Sequence, residues 1–283
     1  MKPPPFAYQA PRAVEEAVEL LGSHDGARVL AGGQSLMQLL KFRAVKPSAL
    51  IDINRIDELA TIERVDGELR VGALVRQQRL IEDPLVADGW PLLAQAAEYV
   101  GYRETRRRGT LGGSLAFAAP WGELTAAVIA LDAQIDVKSS EGERTVASGN
   151  FFRGPNETAL TNGELVLRVR FPIATERCGT GFHEVSARHR DYAQVAAAAV
   201  VSETHRARLV LLCVARTPHV VDAGAVFPNG SASVDERVLK DLLAELEPVD
   251  DVEASAAYRR RVAPVLARRA LEDAARALER SIT

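Results

Sequence analysis

Two short runs of glycines and hydroxyl-bearing residues have the types and spacing to do chemistry: Ala31-Gly32-Gly33-Gln34-Ser35 and Gly109-Thr110-Leu111-Gly112-Gly113-Ser114. Paired glycines let backbone amides come close to a ligand, and successive amides at the mouth of an element cradle the oxygens of an anion such as a pyrophosphate. The side chains of Gln34 and Ser35 add donors. The first run is not G-x-G-x-x-G, so it does not carry the Rossmann fingerprint. Taken alone, a Gly-Gly pair at a strand end is more often only a turn. A second such loop about 75 residues away alters that balance, because a dinucleotide has two phosphates to hold and the loops can meet over them from opposite sides.

The elements around these runs must position them. Val14, Ala17, Val18 and Leu21 fall at helical spacing and predict an amphipathic helix ending near Gly22. Arg28 to Ala31 then reads as a strand running into Gly32, Leu36 to Phe42 as a helix, and Ala49 to Ile53 and Glu68 to Ala73 as strands. Pro91 to Val100 is helical in pattern and leads through an arginine-rich segment into the second glycine run. A helix over about Glu123 to Leu131, a strand over Gln134 to Lys138 and a strand from Leu165 to Phe171 follow, the last stopped by Pro172. The polar stretch from Ile173 to Gly181 predicts a domain boundary near residue 175. Beyond it come a strand over Gly181 to Ser186, an alanine-valine run from Val195 to Val201 that fits buried helix or strand, and a strand from Leu209 to Val214. Leu271, Ala274, Ala275 and Leu278 mark a closing helix, with Pro264 expected at its start.

Composition narrows the function. With 47% hydrophobic and 26% charged residues the chain has a globular profile, and 35 basic against 38 acidic side chains argue against a general nucleic-acid or membrane-surface binder. No run approaches the roughly 18 apolar residues of a membrane span, and the start lacks the apolar stretch of about 7–15 residues found in a signal peptide, so a cytoplasmic address is expected. Two cysteines, Cys178 and Cys213, are too few for an iron–sulfur cluster or a four-cysteine zinc site built by this chain, and read as buried thiols. The five histidines show no metal-ligand spacing, and no G-x-S-x-G nucleophile motif is present. Arg103, Arg106, Arg107 and Arg108 invite a phosphate or partner-docking reading, against which at least two of the four read as solvated.

Ala31 to Ser35 together with Arg106-Arg107-Arg108-Gly109-Thr110-Leu111-Gly112-Gly113-Ser114-Leu115-Ala116 resembles the paired FAD-binding signatures of the flavoprotein subunit of the molybdenum hydroxylase family, of the carbon monoxide dehydrogenase and xanthine dehydrogenase type. The resemblance continues through Val45-Lys46-Pro47, Leu50 to Ile53, Gly122-Glu123-Leu124, Phe151 to Gly154, Arg188 to Ala193 and Tyr258 to Leu271, in family order and over essentially the whole chain. It implies an α+β fold: a two-lobed FAD-binding domain of the vanillyl-alcohol-oxidase type over residues 1–175 (lobe one about 1–55, lobe two about 56–175), then a C-terminal α+β domain of the CO dehydrogenase flavoprotein type over 176–283. The implied FAD contacts are Val29, Leu30, Ala31, Gly32, Gly33, Gln34, Ser35 and Leu36 from the first loop, and Thr110, Leu111, Gly112, Gly113 and Ser114 from the second. Glu123 is implied near the adenosine ribose, Tyr192 close to the isoalloxazine, and Val166 as a further contact. From the residues alone, Glu123 equally fits a helix-start acid favoured by the dipole, and Tyr192 a half-buried packing residue.

By the same resemblance the chain is the FAD subunit of a heteromeric enzyme, expected as a dimer of heterotrimers. It takes electrons from a small subunit with two-iron two-sulfur clusters, beside a large subunit with molybdenum pterin that hydroxylates the substrate, and passes them through FAD to an external acceptor. No catalytic side chain and no metal ligand are assigned. Ala119, Glu184 (lysine in some relatives) and Tyr102-Arg103-Glu104 depart from the commonest family pattern, which touches the surroundings of the flavin ring rather than the glycine loops. Two rivals are a free-standing FAD oxidoreductase with its own substrate pocket and a non-catalytic diphosphate-binding assembly protein.

Overall fold

The computed structural model describes residues 2–228 and 233–280. Residues 1, 229–232 and 281–283 of the expected domains lie outside the described residues. In the first lobe, β1 (Ala7–Gln9), α1 (Val14–Ser23), β2 (Arg28–Leu30), α2 (Leu36–Lys41) and β3 (Ala49–Asp52) form a three-stranded parallel sheet in the order β1-β3-β2 with helical connections. The helical stripe Val14, Ala17, Val18 and Leu21 is buried against Ala49, Ile51 and Ile53. Each larger side chain removed from water there contributes about 1.5–3 kcal/mol.

The second lobe runs through β4 (Ile62–Val65), β5 (Glu68–Gly72), α3 (Gln77–Glu82), α4 (Pro84–Gly89), α5 (Pro91–Tyr99), α6 (Arg103–Arg108), α7 (Leu111–Phe117) and α8 (Glu123–Ala130). It continues with β6 (Gln134–Ser139), β7 (Gly142–Ala147), α9 (Ser148–Phe151), β8 (Phe152–Gly154), β9 (Glu157–Thr158) and β10 (Leu165–Pro172). Its main sheet is antiparallel in the order β4-β5-β10-β6-β7. Leu69, Val71, Ile135, Val137, Val169 and Phe171 share a core with Leu92, Leu93, Leu111 and Leu124 of the helices. The sheet also carries a charged network in which Arg168 and Arg170 both bond Asp136. A register shift between Val166 and Arg168 changes which residues face which core. Leu165 and Leu167 join the first lobe's core, whereas Val166, Val169 and Phe171 join the second's. The two lobes are thereby packed through one strand.

The last part is an antiparallel sheet of β11 (Cys178–Ser186), β12 (Ala193–Ser202), β13 (Ala207–Leu212) and β14 (His219–Asp222), followed by α10 (Glu236–Leu242) and the long α11 (Ala256–Arg280). The alanine-valine run is strand β12, buried on both faces. Val195, Ala197, Ala199 and Val201 pack with α11 residues such as Ala270 and Ala274, while Ala196 and Ala198 belong to the second lobe's core. Alanine favours helix locally, and two-sided burial of the extended chain overrides it. Pro264 lies inside α11, not at its start. The turns before it are held at the helix start: the Ser255 hydroxyl accepts from the Tyr258 amide as a local cap, and the buried Arg259 guanidinium reaches back to the preceding loop, bonding Asp251 at 2.6 and 2.7 Å and the Val249 carbonyl at 2.8 Å. These anchors offset the hydrogen bond that the proline forfeits.

Candidate functional site

The turn from β2 into α2 reverses the chain at Gly33, whose φ of +72° lies in the left-handed region that glycine enters without steric cost. The Gln34 amide group donates to the Gly32 carbonyl at 3.3 Å. Among the described residues, the backbone amides of Gly32, Gly33, Gln34, Ser35 and Leu36 donate to no protein acceptor. Five successive donors without partners, in a partly buried turn, form a cradle for an anion. A β-carbon on Gly32 would lie 2.1 Å from the Arg108 carbonyl oxygen and 2.9 Å from the Gly109 α-carbon. The two glycine runs, far apart in sequence, are therefore in backbone contact.

The second run is built differently from the loop expected at this point. Leu111 to Phe117 is helix α7, capped by the Thr110 hydroxyl, which accepts from the Gly113 amide at 3.1 Å. Its first amides are occupied: Leu111 donates to the Val75 carbonyl at 3.0 Å and Gly112 to the Ala73 carbonyl at 2.9 Å. A β-carbon on Gly112 would sit 2.5 Å from that of Ala73, so Gly112 permits close packing on the chain leaving β5. Gln77 donates to the Ser114 hydroxyl at 2.7 Å. Both hydroxyls act as acceptors within the protein and keep their own protons for a ligand. The first turn thus carries the open amides, and the second supplies hydroxyls and a rigid wall.

Three residues that the sequence reading passed over tie the runs together. Asn54 donates to the Ala31 carbonyl at 2.8 Å, and Arg76 donates to the Asn54 side-chain oxygen at 2.8 Å and to the Arg108 carbonyl at 2.5 Å. Gln77 also anchors the second run, its backbone amide donating to the Gly109 carbonyl at 2.9 Å. Behind them Asp52 accepts from Asn54 at 2.7 Å and from the Tyr8 hydroxyl at 2.6 Å. Single polar residues at strand ends form no periodic pattern, so only the fold reveals this network. Its signal in the sequence is no more than an Asx turn made by Asp52, whose carboxylate accepts from the Asn54 backbone amide two positions on.

The remaining expected contacts lie elsewhere. Glu123 opens α8 and is buried, and burial pushes its carboxyl up to about 7 against a hydrogen bond from its own backbone. Glu184 on β11 is pushed up to about 9, first by burial and then by the charge of Glu123, and one of its oxygens is buried without a partner. The two acids lie within electrostatic reach of each other where α8 of the second lobe packs on the C-terminal sheet. Tyr192 is 45% exposed and stacks on Trp121 with ring centroids 4.5 Å apart. Val166 is buried in the core on β10, so its side chain is packing. Of the arginine run, Arg106 is buried and bonds the Val100 and Gly101 carbonyls and Gln78, Arg103 pairs with Glu82 at 3.6 Å, and Arg107 and Arg108 are exposed. Cys178 and Cys213 are free and raised by burial, Cys213 to about 12, which makes both unreactive. Among the described residues no cluster of potential metal ligands occurs, and no helix is long and apolar enough to cross a membrane.

Comparison with known proteins gives a consistent picture. The sequence matches the family described as the FAD binding domain in molybdopterin dehydrogenase over residues 4–174 and the CO dehydrogenase flavoprotein C-terminal domain over residues 180–274. It is 34% identical to the carbon monoxide dehydrogenase medium chain of Hydrogenophaga pseudoflava, over 97% of this chain and 98% of that one. It is 35% identical to the 6-hydroxypseudooxynicotine dehydrogenase complex subunit alpha of Paenarthrobacter nicotinovorans, over 99% and 97%. The solved structure of quinoline 2-oxidoreductase from Pseudomonas putida 86 superposes with a TM-score of 0.91 at 36% identity, covering 98% of this chain and 99% of that one. The α+β fold, the paired glycine runs and these matches together make the chain a member of the FAD-binding, medium-subunit family of the molybdenum hydroxylases.

Proposed function

We propose that the chain carries FAD within a heteromeric molybdenum hydroxylase, takes electrons from an iron–sulfur subunit and delivers them to an external acceptor, while the substrate reacts on a large molybdenum-pterin subunit. The observation that carries this reading is the cradle itself: five amides without protein partners among the described residues, pressed against a rigid second turn, with the Arg76 guanidinium at their junction and the charge of Arg108 within electrostatic reach of it. That donor set fits the diphosphate of FAD. FAD supplies reversible electron transfer when bound, and the protein's part is to hold and orient it.

In this reading the amides of Gly32 to Leu36, the Ser35 side chain and the Thr110 and Ser114 hydroxyls hold the diphosphate and its neighbouring ribityl, with Val29, Leu30 and Ala31 on one side and Leu111, Gly112 and Gly113 on the other. Glu123 accepts from the adenosine ribose, Tyr192 with Trp121 flanks the flavin ring, and Val166 approaches through its main chain. Residues 1–175 and 176–283 act as the FAD-binding and C-terminal domains of a cytoplasmic dimer of heterotrimers. The test is to purify the native complex and measure flavin, iron and molybdenum per copy of this chain. One FAD per copy, with iron and molybdenum present only when the partner subunits co-purify, is expected. A flavin-free complex with full iron and molybdenum overturns the reading.

A further inference from the structure

Arg76 stands at the junction of the two glycine runs. Its guanidinium donates to the same Arg108 carbonyl that touches the first turn at Gly32, and to Asn54, which in turn holds the Ala31 carbonyl. Two of its five donors are used in this way, leaving three with no protein acceptor among the described residues. Arg108, its neighbour in charge, is likewise without an ion pair there. Asp52, the acid within electrostatic reach, is engaged by Tyr8 and Asn54 and forms no ion pair with Arg76. Burial and the neighbouring Arg108 both disfavour the Arg76 charge, while Asp52 favours it more weakly. A half-buried guanidinium beside a second one is costly unless an anion arrives to offset both.

We propose that Arg76, assisted by the charge of Arg108, is the counter-charge of the FAD diphosphate, closing over the amides of the first turn from the side of the second. The inference rests on the FAD reading above and adds a binding residue to it. Arg76 has two separable duties, bridging Asn54 to the Arg108 carbonyl and presenting positive charge. Only the second is specific to a phosphate.

The test titrates the deflavinated full-length chain with FAD and with riboflavin, which has the same ring and no phosphate, at low and high salt, for wild type, Arg76→Lys and Arg76→Gln. Melting of the deflavinated forms monitors the fold. Arg76→Gln is expected to weaken FAD binding about ten- to a hundredfold, with riboflavin binding unchanged. Its FAD affinity should also depend less on salt, and Arg76→Lys should recover most of the loss. Equal losses for FAD and riboflavin, or equal losses in Lys and Gln, overturn the proposal in favour of a purely bridging role. FAD binding unchanged in Arg76→Gln overturns it outright. If wild type itself binds riboflavin as tightly as FAD, the diphosphate reading fails and this proposal falls with it, an outcome distinct from a loss confined to the Arg76 variants.

Discussion

Replacing Glu184 by glutamine removes the ability to ionise from a carboxyl that the fold holds in its neutral, protonated form. A carboxyl whose native pKa lies above its unfolded value binds its proton more tightly in the native state. Stability is then full below the ordinary carboxylate range and declines as pH rises toward the native pKa. For Glu184, pushed up to about 9 by burial and by Glu123, the decline spans the range from ordinary glutamate behaviour to about pH 9. Glu123, raised to about 7, adds to it over the lower part of that range, ionising while Glu184 is still protonated. The limiting slope for one group is about 1.4 kcal/mol per pH unit, which integrates to roughly 4 kcal/mol between about pH 5 and pH 8. Partial solvent access to Glu184 reduces the expected gain of Glu184→Gln at pH 8 to about 2 kcal/mol. Denaturant unfolding of the deflavinated chain from about pH 5 to pH 9 measures it. The variant should match wild type at the acid end and exceed it increasingly toward the alkaline end. Parallel profiles would refute the reasoning.

Two further outcomes follow from the C-terminal part. Arg259→Ala deletes a buried guanidinium that bonds Asp251 twice and the Val249 carbonyl, and should cost about 2–3 kcal/mol in denaturant unfolding, below the cost of breaking a fully buried pair because Asp251 is exposed and stays solvated. A loss below about 0.5 kcal/mol would contradict the anchoring role given to it. Pro264→Ala restores a donor inside α11 and should stabilise the fold by about 1 kcal/mol, read as a raised melting temperature; a lowered one would show that the helix uses the proline's shape.

The first glycine turn was legible because its chemistry is local: Gly32 and Gly33 follow a strand and precede a helix, and the turn needs both conformational freedom and close approach. The second run was legible as a partner but not in its construction, since nothing in Gly109 to Ser114 announces that Val75 and Ala73 occupy its amides. Asn54, Arg76 and Gln77 join the site only through contacts across more than twenty residues of sequence. The alanine-valine run stayed open between helix and strand because periodicity vanishes when both faces are buried. Pro264 misled because a helix-start proline and a tolerated interior one look alike until Arg259 and Asp251 are placed.

FAD binding depends on the first turn being pressed against the second closely enough that only a residue without a side chain fits at Gly32. Measuring flavin per chain in the purified Gly32→Val protein tests this most directly. A β-carbon there collides with the Arg108 carbonyl at 2.1 Å and must push the turns apart. The expected result is a folded chain that has lost most of its FAD; one FAD per chain with wild-type affinity would contradict the account.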